Sequence, residues 1–180
     1  METKLFGDKK ITIRKIGKSD LRNAKKFQIF INSLIKEDAR LLINKKATVK
    51  DEAEYIKKSL NGEKNKTNVH LVAEHDGKIV GNTDVGLEKF RRSHIGKFGI
   101  AILNGYRGAG LGEYLMSEII KSAKKELRPR LKVIRLEVYE GNKPAINLYK
   151  KMGFKIVGKI PKQIQYKGKL ISEFIMIKEV

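Results

Sequence analysis

The sequence predicts an α/β fold: a mixed, mainly antiparallel sheet of about seven strands flanked by about four helices. Three observations carry this. Asp76-Gly77 joins two apolar runs as a hairpin, because a type I′ turn needs two residues at positive φ. The run Phe98–Leu103 leads through a glycine-rich turn into an amphipathic stretch from Leu111, and a further apolar run, Val133–Tyr139, makes this a β-α-β crossover. Lys167-Gly168 divides the last apolar segments as a closing hairpin. A doubly wound sheet would alternate strand and helix throughout, and this chain does not.

Element by element, the order is β-α-α-β-β-β-α-β-α-β-β. Lys10–Arg14 alternates and is the first strand. Ser19 or Asp20 caps a helix that runs to about Asn44, with Leu21, Ala24, Phe27, Phe30, Ile31, Leu34 and Ile35 at helical spacing. A second helix spans about Thr48–Leu60, and Asn61 to Asn68 is a loop. Val69–Glu74 and Ile79–Glu88 flank the Asp-Gly turn. Lys89–Ser93 is a basic loop, and His94–Leu103 the next strand. Leu111, Leu115, Ile119 and Ala123 form the inner ladder of a helix ending near Leu127, closed by Pro129. Val133–Tyr139 is a strand. Asn142 caps a short helix with Pro144 in its first turn, and Gly153 stops it. Phe154–Tyr166 and Lys169–Lys178 complete the sheet.

The 180 residues are expected to form one domain, and an ordinary 41% hydrophobic content argues against disorder. With no cysteine, disulfides, thiolate zinc sites and a cysteine nucleophile are excluded. The three histidines, His70, His75 and His94, lack metal-ligand spacing, so no metal is expected. No apolar run approaches the roughly 18 residues of a membrane span, and Met1–Asp8 lacks an apolar signal region, so a cytoplasmic location away from membranes is expected. The net charge of +20 points to a polyanionic partner such as nucleic acid or the ribosome, to an acidic substrate, or to cofactor phosphates. Lysines spread along the whole chain make a purely compositional origin the competing reading. The densest stretch is Lys124–Lys132, at a helix end where cations are favoured in any case.

Arg107-Gly-Ala-Gly-Leu-Gly112 is the most informative segment. A strand, a glycine-rich turn and a helix start form a phosphate cradle, since free amides and the positive helix end hold an anion. A dinucleotide fingerprint needs G-x-G-x-x-G near the first strand and an acidic residue downstream, whereas here the glycines stand at 108, 110 and 112, past mid-chain. No Walker string is present. A ligand-free turn would need one or two glycines, and this one has three beside an arginine.

The remaining pattern, Arg-x-x-Gly-x-Gly, resembles the acetyl-CoA site of the GNAT acetyltransferase superfamily. A second block agrees: Leu136-Glu-Val138, Asn142, Ala145, Leu148-Tyr149 and Gly153-Phe154 resemble the family's Leu-x-Val…Asn…Ala…Leu-Tyr…Gly-Phe segment. The predicted element order also resembles the GNAT fold. The resemblance implies acetyl-CoA as cosubstrate. Its pyrophosphate would lie on Arg107, Gly108, Ala109, Gly110, Leu111 and Gly112, and its pantetheine arm along Ala101, Ile102 and Leu103, in a slot where two strands splay. Asn142 would stand on the pantetheine and adenine side, with a plain helix cap as its other reading. Lys143, Arg91 and Arg92 are weaker candidates for the adenine end.

The implied reaction is direct attack of an amine on the thioester, which needs a neutral amine and a proton for the departing thiolate. Tyr149 matches the family's acid position, with a core aromatic as its alternative role. Glu137 resembles a glutamate that acts through water in the branch acetylating protein N-termini. Its strand position also suits a solvated residue paired to a lysine. Asp84, Glu88 or a water chain are rival bases. The acceptor is expected to be a protein N-terminus, a lysine or a small amine, chosen by segments 20–60 and 159–173. The competing function class is a non-catalytic nucleic-acid- or ribosome-binding module with a vestigial cofactor slot.

Overall fold

The computed structural model describes residues 1–127 and 130–180. Eight strands form one sheet: β1 (Glu2–Phe6), β2 (Lys9–Lys15), β3 (Asn68–His75), β4 (Lys78–Leu87), β5 (Ile95–Ile102), β6 (Val133–Tyr139), β7 (Lys155–Tyr166) and β8 (Lys169–Glu179). Their spatial order is β1-β2-β3-β4-β5-β6-β8-β7. Among the described residues only β5 and β6 run parallel, joined by the crossover helix α4 (Leu111–Glu126). Helices α1 (Lys18–Arg22), α2 (Ala24–Lys36) and α3 (Val49–Lys64) precede β3, and α5 (Lys143–Lys151) links β6 to β7.

β3 divides two apolar layers. Val69, Leu71 and Ala73 face the layer holding Leu111, Leu115 and Ile119 of α4, whereas Val72 faces Phe27, Phe30 and Leu34 of α2 and Ile56 of α3. A strand covered on both faces reads as a continuous apolar run, which is why Val69–Ala73 shows no clean alternation.

Three boundaries differ from expectation. The helix expected from Asp20 to Asn44 is broken twice. Asn23 stands at φ −110°, outside helical geometry, and its side-chain Nδ2 donates to the Ser19 carbonyl, the local competition that asparagine offers a helix. After Lys36 the chain turns at Asp38 (φ 53°), and the apolar Leu42 and Ile43 that continued the pattern are exposed. The helix expected to end at Leu60 continues to Lys64, across Asn61-Gly62. Gly62 is a packing glycine: a Cβ there would stand 2.6 Å from Asn68 Cβ. An unexpected edge strand, β1, folds back on β2 through Gly7-Asp8, with Gly7 at φ 63°. The expected stop at Pro129 lies outside the described residues.

Candidate active site

β5 ends at Ile102, and the chain enters the glycine turn. Gly105, Gly108 and Gly110 stand at φ 80°, 83° and 88°, and a Cβ on any of them would meet nothing within 4 Å. The turn is thus open to a ligand approaching close to the backbone. Gly112 differs. A Cβ there would come 3.3 Å from Leu148 and 3.4 Å from Ile102, so it lets α4 sit tightly against β5 and α5. Gly110 is the N-cap and offers no side-chain acceptor. As a result, none of the backbone N–H groups from Arg107 to Glu113 has an acceptor among the described residues. Such a row of free donors at a helix start is an anion site. The Arg107 side chain is occupied: Nε donates to the Ile102 carbonyl at 2.7 Å, and the guanidinium pairs with Glu37. Glu37 also accepts from the Asn104 N–H at 3.2 Å, so it ties the end of α2 to the turn.

Next to the turn the sheet opens. β5 and β6 pair only at Ile95–Val133, Gly96–Ile134 and Lys97–Arg135. Beyond Lys97, β5 keeps β4 as partner and β6 keeps β8, but neither keeps the other. Ala101, Ile102 and Leu103 lie along the β5 side of this cleft, at its glycine-turn end. An unpaired inner strand edge accepts an extended chain as an extra strand.

Tyr149 of α5 packs edge-on against Phe98 (6.1 Å between centroids) and beside Phe154 (6.3 Å). Burial pushes its phenol up to about 12, and its hydroxyl has no hydrogen-bond partner among the described residues. The helix beneath it is closed by Gly153 at φ 85°, with the Phe154 N–H on the Tyr149 carbonyl at 2.9 Å. Asn142 is the N-cap of α5, but its side chain makes no cap hydrogen bond, so the plain-cap role does not hold. Only its backbone is engaged, N–H to Tyr139 and C=O to Ile146.

The carboxylates separate by environment. Glu137, on β6, is gripped by Lys97 at 3.0 Å and Arg135 at 2.7 Å. Burial alone would raise its pKa; Lys97 and then Arg135 outweigh it and hold the carboxyl below its ordinary range. Glu88 pairs with Arg92 at 2.7 Å and lies 3.8 Å from Arg135. Asp84, on β4 opposite Gly99, has no ion pair or hydrogen bond among the described residues, and desolvation raises it to about 7. A Cβ on Gly99 would come 3.2 Å from Asp84 Oδ1, so the glycine leaves the space beside this carboxyl free. Glu173, opposite Tyr139 on β8, is also raised, first by burial and then by Glu137.

On the same sheet face as Asp84, a polar chain runs outward from the core. Ser59 Oγ is 2.6 Å from His70 Nδ1, His70 Nε2 meets Asn82 Oδ1, and Asn82 Nδ2 donates to the Tyr55 hydroxyl at 3.1 Å. Burial lowers His70 to about 4, so it is a neutral, satisfied core histidine. Among the described residues no cluster of His, Cys, Asp and Glu is suited to a metal, and no helix is long and apolar enough to cross a membrane.

The two segments expected to choose the acceptor do meet. A cavity of about 350 Å³ lies between residues 38–44 and the β7–β8 hairpin, floored by Tyr139. Tyr139 donates to the Leu41 carbonyl at 2.6 Å and Tyr166 to the Asp38 carbonyl at 3.1 Å, pinning this loop to the sheet. The pins and the Glu37 tie carry no sequence signature. They join residues up to 128 positions apart, and no local pattern announces them.

Comparison with known proteins agrees with this arrangement. The L-amino acid N-acetyltransferase AaaT of Escherichia coli is 36% identical over 107 residues, 59% of this chain and 65% of that protein. An N-alpha-acetyltransferase of Sulfurisphaera tokodaii is 36% identical over 98 residues, 48% of this chain and 56% of that protein. Each match thus spans less than two thirds of the relative's length. The structure of YncA from Salmonella typhimurium, solved with its cofactor acetyl-CoA, superposes with a TM-score of 0.77 at 18% identity, covering 94% of this chain and 93% of that one. Residues 33–154, which include the free amides, the sheet opening and Tyr149, match the acetyltransferase (GNAT) family, and the chain belongs to that family.

Proposed function

We propose that this protein is an acetyl-CoA-dependent N-acetyltransferase whose acceptor is an α-amine, on a free amino acid or a peptide N-terminus. The observation that carries the reading is the row of unpartnered amides from Arg107 to Glu113 opening directly into the β5–β6 cleft. Those amides and the α4 dipole suit a diphosphate. The β5 edge at Ala101–Leu103 suits the amides of a pantetheine arm, and the unengaged Asn142 side chain stands ready beside it. Acetyl-CoA supplies a thioester-activated acetyl group.

The chain's own residues then manage protons. Asp84 takes the proton released as the amine nitrogen forms its amide bond, directly or through a water. A base poised near neutral pH suits this task, and only a desolvated carboxylate reaches it. Glu137, though well placed, is held ionised by two cations and is a weak base. We assign it to anchoring Lys97 and Arg135 beneath the cleft. Tyr149 stays protonated at neutral pH and delivers a proton to the departing sulfur. The cavity behind Tyr139 admits the remainder of the acceptor. An α-amine is favoured because the names of both curated relatives specify amino-acid or N-α acceptors.

The test is thermal stabilisation by acetyl-CoA, followed by thiol release on free L-amino acids, short peptides with free N-termini, and polyamines. Stabilisation with turnover on the first two groups is expected. No shift with acetyl-CoA overturns the reading, and turnover on polyamines alone overturns the acceptor.

A further inference from the structure

We propose that the end of the sheet remote from the glycine turn docks single-stranded nucleic acid, independently of acetyl transfer. Chain topology gathers four segments there: the α3–β3 turn, the β4–β5 loop, the exit from α4 and the start of β6. Hydrogen bonds fix their adjacency. Arg130 donates to the Lys66 carbonyl at 2.6 Å, the Lys132 N–H to the His94 carbonyl at 2.9 Å, and the Leu87 N–H to the Thr67 carbonyl at 2.7 Å.

These segments are basic and unneutralised. Lys64 and Lys66 come from the first, Lys89, Arg91 and Arg92 from the second, Lys124, Lys125 and Arg130 from the third, and Lys132 from the fourth; all are exposed. Among the described residues, only Arg92 of these has a carboxylate partner, Glu88. At the glycine-turn end, paired cations such as Lys9 with Asp8 and Arg107 with Glu37 stand among exposed ones unpaired among the described residues, Lys10, Lys78 and Lys143. Free charge is therefore not confined to one end, and what sets the remote end apart is an exposed aromatic among its cations.

The second feature is Phe90. It is 90% exposed at the tip of the β4–β5 loop, in a short 3-10 turn, at φ 57°. A left-handed bulky residue is strained, and an aromatic ring held out in water has lost its usual reason to be there. Flanked by Lys89 and Arg91, it forms a stacking platform among phosphate-binding cations. That combination suits strands whose bases are free to stack, more than a duplex. It also suits them more than a lipid surface, which asks for several apolar side chains on one face.

The test uses the full chain and a fluorescein-labelled 20-nucleotide RNA, read by anisotropy from 50 to 300 mM KCl. Single-strand contacts contribute about −0.7 each to the slope of log K against log salt. Lys89→Ala/Arg91→Ala/Lys132→Ala is expected to flatten that slope by about 2. Phe90→Ala is expected to weaken binding about tenfold with the slope unchanged, since stacking is not a counterion effect. Lys25→Ala/Lys57→Ala/Lys58→Ala, on the outer helices, is the charge-matched control and is expected to retain both affinity and slope. Equal losses in the control overturn the proposal, leaving unlocalised attraction. Equal or tighter binding of the matching duplex, or binding of phosphatidylserine vesicles without RNA binding, also overturns it.

Discussion

Replacing Asp84 by Asn is expected to reduce activity and raise stability at once. The carboxyl moves from an ordinary value of 3.8 to about 7 on folding, through desolvation. It therefore binds its proton more tightly in the folded state. Its contribution favours folding below about pH 4 and is lost as the pH rises through 7. The full shift corresponds to about 4 kcal/mol, and access of water to a half-buried group brings this to about 2–4 kcal/mol. Asn fills the same space without charge and escapes that cost. At about 2–4 °C per kcal/mol for a domain of this size, Asp84→Asn should melt roughly 4–16 °C above the parent at pH 8 and level with it at pH 4. Removal of a general base should meanwhile lower kcat/KM by about 10²–10⁴. The assay is a paired series of melting curves and thiol-release rates from pH 5 to 9 on a peptide with a free N-terminus. The parent should show a rising limb near pH 7 that the variant lacks. A variant that keeps kcat/KM within about threefold of the parent and retains that limb would refute the assignment of Asp84. A melting difference that does not grow with pH would refute the electrostatic reasoning beneath it.

Three further substitutions probe the site and its scaffold. Tyr149→Phe keeps the ring packing on Phe98 and Phe154 and removes the unpartnered hydroxyl, so kcat should fall by about 10–10³ while acetyl-CoA affinity changes less than about threefold; titration calorimetry beside steady-state kinetics separates the two. Gly110→Asp puts a side chain at φ 88° and a negative charge against the free amides, and should abolish the acetyl-CoA melting shift; an undiminished shift would place the phosphates elsewhere. Gly62→Ala gains about 1 kcal/mol of helix propensity but drives a Cβ to 2.6 Å from Asn68 Cβ, and should lose about 1–2 kcal/mol net by urea unfolding.

The parts of the molecule legible in the sequence were those set by short-range chemistry. Asp76-Gly77 can only turn, Leu111 to Ala123 can only bury one helix face, and Gly108 and Gly110 sit where the backbone must take positive φ beside a helix start. What stayed hidden depends on distant partners. The helix expected to run to about Asn44 stops short of Leu41-Leu42-Ile43, because Tyr139 and Tyr166, about a hundred residues on, hold that stretch as a loop. Gly62 looked like a turn because close approach and left-handed geometry recruit the same residue. The candidate bases could not be ranked for a related reason. Glu137 and Asp84 are both strand carboxylates, and only the structure shows two cations on one and, among the described residues, none on the other.

The short ladder between β5 and β6 has a mechanical corollary. Among the described residues, three register pairs and the Lys132 and Val133 N–H bonds to the His94 carbonyl stitch the two halves of the sheet, all at one end, so cohesion beyond them rests on side chains. Phe98 from one half meets Tyr149 and Phe154 from the other at 6.1 and 6.3 Å, and this aromatic triad acts as a spacer across the opening. The gauge of the cleft is therefore written in side-chain volume. A change of ring size at Phe98 or Phe154 is expected to alter the width of the cleft without a change to a single strand hydrogen bond.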